Sequence, residues 1–163
     1  MLGVFFDSKL PFCGHVERLL CVCNQRSYLL SQLRRQGLPD KCISIVFDAI
    51  VVSKIMYALS GWGAYISQAL RDRIDALFRK ARRWKLTDMQ YSFNELLFDV
   101  DSKLFARSKS VSHCLHHMLP MRSVSSQIVL RPRGHPYDVP RATYELTRRS
   151  FIMRLLYRDM SVL

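Results

Sequence analysis

Ser67-Gln68-Ala69-Leu70-Arg71-Asp72-Arg73-Ile74-Asp75-Ala76-Leu77-Phe78-Arg79-Lys80-Ala81-Arg82-Arg83-Trp84-Lys85 is the stretch whose periodicity decides the fold. Leu70, Ile74, Leu77, Phe78, Ala81 and Trp84 recur at steps of three and four. At roughly 100° per residue they share one arc of a helix, predicted over residues 68–85. Ser67 is placed to cap its start. Arg79, Arg82 and Arg83 fall on the opposite side, and five of the seven residues 79–85 are basic. The expectation is an amphipathic helix with an apolar face to bury and an arginine-rich outer face.

The neighbouring segments supply partners for that face. Residues 14–36 read as a helix with Val16, Leu19, Leu20, Cys23, Ser27 and Leu30 on one side. Gly37 ends it and Pro39 confirms the stop. A second helix is predicted over residues 40–59. Its apolar positions Ile43, Val46, Phe47, Ile50, Val51, Ile55 and Ala58 nearly surround it, so it is expected to be the central, buried one. Ser60-Gly61-Trp62-Gly63 is expected to break it. Ser92-Phe93-Asn94-Glu95 has the capping-box pattern of a shorter helix, and a further helical stretch is expected near residues 102–110. Residues 2–6 read as a short strand. Beyond Pro120 periodicity fades: residues 131–137 with Val139-Pro140 read as an extended basic segment, and residues 144–157 as a last helix or strand. The fold class expected is mainly α, a small helical bundle with a short N-terminal strand and an irregular basic C-terminal segment.

Charge points to a partner. The 163 residues carry 25 Lys and Arg against 13 Asp and Glu, a net of +12. Residues 71–85 hold seven basic residues against Asp72 and Asp75, a net of +5. Residues 121–158 hold eight arginines against Asp138 and Glu145, a net of +6. Arginine outnumbers lysine 13 to 2 in these two segments. Guanidinium forks bind phosphate bidentately and stack on bases, which favours nucleic acid as the polyanion. The candidate contacts are Arg79, Lys80, Arg82, Arg83 and Lys85 on the third helix, with Arg131, Arg133, Arg148 and Arg149 in the C-terminal segment. Tyr137 could stack on a base. The bland alternatives are a solvated helix face, with Asp72 and Asp75 as intrahelical salt-bridge partners, and a flexible polar tail.

Other classes find little support. No secretory signal is visible, and the longest charge-free stretch, residues 55–70, is 16 residues, short of the about 20 a span needs. Five cysteines at irregular spacing read as reduced thiols of an intracellular protein. His113, His116 and His117 approach helical ligand spacing, but no second donor cluster completes four ligands, so they are expected to be structural. There is no Asp-Asp pair to hold two metal ions, no Gly-x-Ser-x-Gly and no phosphate loop. A chain that is not itself an enzyme, with no cofactor, is the expectation.

Several stretches together resemble one family. Leu2-Gly3-Val4 with Asp7-Ser8-Lys9-Leu10 resembles the end of the palm in reverse transcriptases of non-LTR, LINE-type (jockey-like) retrotransposons. Cys23-Asn24-Gln25-Arg26, Leu29-Leu30-Ser31-Gln32-Leu33-Arg34-Arg35-Gln36-Gly37-Leu38-Pro39, residues 50–59 and Trp62-Gly63 are similar to the thumb and connection that follow. Residues 73–81 resemble the family's basic thumb helix. Residues 113–120, 131–135 and Arg149-Ser150-Phe151 resemble the C-terminal end of such reading frames. The resemblance implies three parts: residues 1–9 as the palm-end strand and turn, 10–88 as a thumb-like bundle, and 89–163 as connection helices and basic tail.

The resemblance also implies a parent RNA-directed DNA polymerase using magnesium, acting on chromosomal DNA and hence nuclear. The fingers, most of the palm and the Asp-Asp box would lie before Met1, so no catalytic residue carries over. What carries over is duplex binding by Arg79, Lys80, Arg82 and Arg83, with an RNA–DNA hybrid or duplex backbone as partner, no membrane, and the missing palm and fingers as a further partner. The alternative is a non-catalytic protein-interaction module derived from a mobile element. A third reading is an active polymerase that continues upstream.

Overall fold

The computed structural model describes residues 3–4, 12–122 and 135–160, and it is mainly helical. The strand expected over residues 2–6 lies outside the described residues except for Gly3 and Val4, which belong to no strand. The chain forms two compact units, residues 1–98 and residues 99–163.

In the first unit, α1 (Cys13–Arg35) buries His15, Val16, Leu19, Leu20, Cys23, Ser27 and Leu30. That is the face its three-and-four spacing requires, with His15 added at the edge. The helix closes on Gly37 at φ 97°, where the Gly37 N–H bonds to Arg34 O and the Leu38 N–H to Leu33 O. This paired closure needs a left-handed residue, which glycine adopts without steric cost. Pro39 precedes α2 (Asp40–Phe47), which runs through a widened π turn (Asp48–Val52) into α3 (Ser53–Met56). Arg26 of α1 donates to the Ile50 carbonyl and Tyr91 Oη to Asp48 Oδ1 at 2.7 Å, so side chains hold the irregular turn.

The second helical run is not the central element. Ile43, Phe47, Val51, Val52 and Ile55 are buried, but Val46 and Ile50 are half-covered and Ala58 is exposed. It packs one face onto α1, and α1 packs against both this run and α5 (Gln68–Arg83), so α1 holds the centre. By length and composition alone, residues Asp40–Trp62 are apolar enough to cross a membrane, which the count of charge-free residues overlooked.

The expected breaker is also displaced. The chain turns at Tyr57–Ala58, with Ala58 left-handed at φ 52°, and Leu59–Trp62 is itself a helical turn, α4. The Trp62 indole N–H, on a fully buried ring, donates to the Tyr57 carbonyl that the break exposes. Gly63 is needed for space: a Cβ there would sit 2.8 Å from the Leu59 carbonyl oxygen.

Where two helices were expected after residue 92, there is one, α6 (Phe93–Ser108). Its first N–H is taken by Asp75 Oδ1 of α5 at 2.7 Å, a cap supplied across helices.

The second unit has its own core of Phe105, Tyr137, Ile152, Leu155 and Leu156. Residues 144–157 resolve into two helices, α7 (Glu145–Arg148) and α8 (Phe151–Met160). Asp101, 2% exposed, receives a forked bond from Arg154 at 2.8 to 3.0 Å.

Candidate nucleic-acid interface

The buried arc of α5 is Leu70, Ile74, Leu77, Phe78 and Ala81, with Trp84 half-covered beyond it. Burying that arc turns Arg79, Arg82 and Arg83 to the surface. The helix starts at Gln68 with Ser67 in the capping position, but its hydroxyl makes no cap bond; the Ser67 carbonyl accepts the Leu70 and Arg71 N–H groups.

The two acids of this helix do not neutralise the arginine face. Asp72 accepts from Gln68 Nε2 at 2.8 Å, and Asp75 is the cap of α6. The intrahelical salt bridges expected for them are therefore not made. Arg73 reaches Glu17 of α1 at 3.6 Å, both groups exposed. Among the described residues, Arg79, Arg82, Arg83 and Lys85 have no carboxylate at ion-pair distance. Arg82 Nη1 touches only an amide oxygen, Gln90 Oε1, at 3.4 Å.

Lys80 differs from its neighbours. Its ammonium donates to Asn24 Oδ1 of α1 at 3.1 Å and stands 4.5 Å from the centre of the Trp84 ring. It clamps α5 to α1 by hydrogen bond and cation–π attraction. It contributes charge at the edge of the face more than an outstretched contact.

The end of α5 repeats the closure of α1 with a different residue. The Lys85 N–H bonds to Arg82 O at 2.9 Å and the Leu86 N–H to Ala81 O at 3.0 Å. The left-handed position that glycine fills in α1 is filled here by Lys85, at φ 53°. An L side chain in that conformation costs roughly 1–2 kcal/mol. Lys85 is thus held out as an exposed cation at some cost to the helix end.

The ends of α1 and α5 border a half-open hollow of about 360 Å³. Tyr28, Arg34, Arg35, Arg83, Trp84 and Lys85 line it. Tyr28, Arg34 and Arg35, with Ser31 between them on α1, were not singled out from sequence as contacts. Arg34 and Arg35 lie in the last turn of α1, a detectable signal, but their proximity to Arg83 depends on how α1 and α5 pack. Arg34 is paired with Asp40 at 2.8 Å, and this bond and charge, with Lys85 adding to them, hold the Asp40 carboxyl below its ordinary value. A second hollow of about 350 Å³ lies beside Arg79 and Arg82, walled by Phe78 and Tyr91. The Tyr91 hydroxyl is pushed up to about 12, first by burial and then by Asp48.

The C-terminal candidates divide. Arg131 and Arg133 lie outside the described residues. Arg149, just past α7, is bonded to Glu145 at 3.2 Å, and the guanidinium of Arg148, the last residue of α7, lies 5.5 Å from the Tyr157 ring centre; both are exposed. Tyr137 does not present a ring for stacking: it is 3% exposed, packed edge-on against Phe105. His135 is likewise buried, its Nε2 3.0 Å from Leu156 O and its Nδ1 accepting the Tyr137 N–H. The described part of the stretch read as an extended basic segment thus supplies buried residues, His135 and Tyr137.

His113 Nδ1 accepts the Leu115 N–H, and His116 Nδ1 lies 3.2 Å from Ser108 O, in a turn that includes the short 3₁₀ segment His116–Met118. Among the described residues no three His, Cys, Asp or Glu side chains gather as a metal site. Three acids are already committed to other partners: Asp48 bonds Tyr91, Asp75 caps α6 and Asp101 is paired with Arg154. No protein-family model, curated protein or solved structure matches this chain.

Proposed function

We propose that this chain is the thumb and C-terminal region of a non-LTR retrotransposon reverse transcriptase, without a catalytic centre of its own, and that it holds nucleic acid by the phosphate backbone without reading sequence. The observation that carries this reading is the outer side and end of α5. Arg79, Arg82, Arg83 and Lys85 are exposed there without carboxylate partners among the described residues.

Cations at a helix C-terminus also complement its dipole, which accounts for part of the clustering. Dipole compensation gives no reason for a lysine at the strained left-handed position, and phosphate contact does. Each phosphate neutralised by such a group releases counterions, and backbone contacts fix position but carry no sequence information. An RNA–DNA hybrid is the partner the resemblance implies, and chromosomal DNA the place of action.

The test is binding of the chain to RNA–DNA hybrids of unrelated sequence, followed by fluorescence anisotropy. Equal affinities that fall with salt are expected. Strong discrimination between sequences, or primer extension by the isolated chain with nucleotides and magnesium, would overturn the reading.

One observation favours a protein-docking role instead. Leu29 and Leu33, one turn apart on α1, are 61% and 43% exposed. That reading predicts complexes that survive nuclease treatment.

A further inference from the structure

The hollow between the ends of α1 and α5 combines two chemistries. Tyr28 lines it and is 56% exposed. Arg35, Arg83 and Lys85 line the same hollow, exposed and without a carboxylate at ion-pair distance among the described residues. Arg34 is occupied with Asp40, and no acid is among the lining residues, so the groove keeps an excess of positive charge. Trp84 forms part of the wall, steadied by the Lys80 ammonium over its ring. The volume, about 360 Å³, lies at the low end of the roughly 300–1,000 Å³ found for ligand pockets.

We propose that this groove is a single-strand site, in which an unpaired base of RNA or DNA stacks on Tyr28 while the flanking phosphates bond to Arg35, Arg83 and Lys85. The proposal rests on the nucleic-acid reading above and adds the strand state to it. A duplex covers both faces of its bases with neighbouring pairs, so an exposed ring in the groove gains nothing from it. A base free of its pair offers a π face, and stacking on an aromatic side chain tolerates any sequence. The cations alone would serve any polyanion. Tyr28 beside them selects one that carries rings.

The experiment uses the intact chain and two labelled strands of equal length and charge: an oligothymidylate and an abasic deoxyribose-phosphate oligomer. The oligothymidylate is expected to bind about tenfold more tightly, the share that stacking of one base contributes. Tyr28→Leu, at an exposed position, is expected to erase that difference and leave affinity for the abasic strand and for an RNA–DNA hybrid unchanged. Equal binding of the two strands by the unaltered chain, or a difference that survives Tyr28→Leu, overturns the groove. If the hybrid still binds in that case, the backbone reading stands without it. If neither the strands nor the hybrid bind, both readings fail.

Discussion

His15 and Cys23 show what burial does to single groups on α1. The His15 ring lies edge-on to Trp62 at 5.2 Å and is 8% exposed. Burial first, and then the charge of Lys54, lower its pKa from 6.5. The unfolded chain therefore takes up a proton near pH 6.5 that the folded chain resists. The stability associated with neutral His15 is present above pH 6.5 and declines as pH falls through that value. The thermal midpoint should drop as pH falls below 6.5, and drop less in His15→Gln, as calorimetry can measure. Cys23 is pushed up to about 11 by burial, which keeps it a thiol, whereas Cys13, Cys21, Cys42 and Cys114 are exposed. A thiol reagent should modify those four rapidly and Cys23 only on unfolding. Fast modification of all five in the native protein would place Cys23 outside the core.

At the scale of elements, the two matching helix ends make a controlled comparison. Gly37 closes α1 and Lys85 closes α5 by the same pair of backbone bonds. Lys85→Gly should stabilise the protein by about 1 kcal/mol in urea unfolding, because the left-handed strain disappears. It should also weaken binding to an RNA–DNA hybrid at low salt. Stabilisation with binding unchanged would make Lys85 a tolerated strain that touches no phosphate.

How far the elements were legible follows from the same physics. The buried face of α1 could be read because a 3.6-residue period repeats along six turns. The break after α3 could not, because it falls on Ala58, while Gly61, the residue that advertises a break, sits in a helical turn with nothing near its Cβ position. The π turn at Asp48–Val52 was invisible for a similar reason: Arg26 and Tyr91, which hold it, are distant in sequence.

At the scale of the whole molecule, charge is sorted by what the fold does with each group. Arg154 belongs to the highly basic C-terminal segment, yet it is committed to Asp101 inside the second unit. Arg149 is paired at the surface with Glu145. Net charge along the sequence could not separate these from the α5 cations, because pairing depends on which acid the fold brings near. The outward side of α5 was legible from periodicity alone. The groove at its end was not, because Tyr28 and Arg83 come to line one hollow only when α1 packs on α5, and Tyr137 was misassigned because an irregular segment has no period to mark its inner side.

The central claim is that the outer face and end of α5 bind phosphates. The most direct measurement is the dependence of hybrid affinity on salt concentration for the unaltered chain and for a variant with Arg79, Arg82, Arg83 and Lys85 all replaced by Gln. The slope of log affinity against log salt should flatten by about 0.9 for each phosphate that the variant leaves un-neutralised on a B-form duplex, and by a comparable amount on a hybrid. A variant that binds with the same slope as the unaltered chain would contradict the claim.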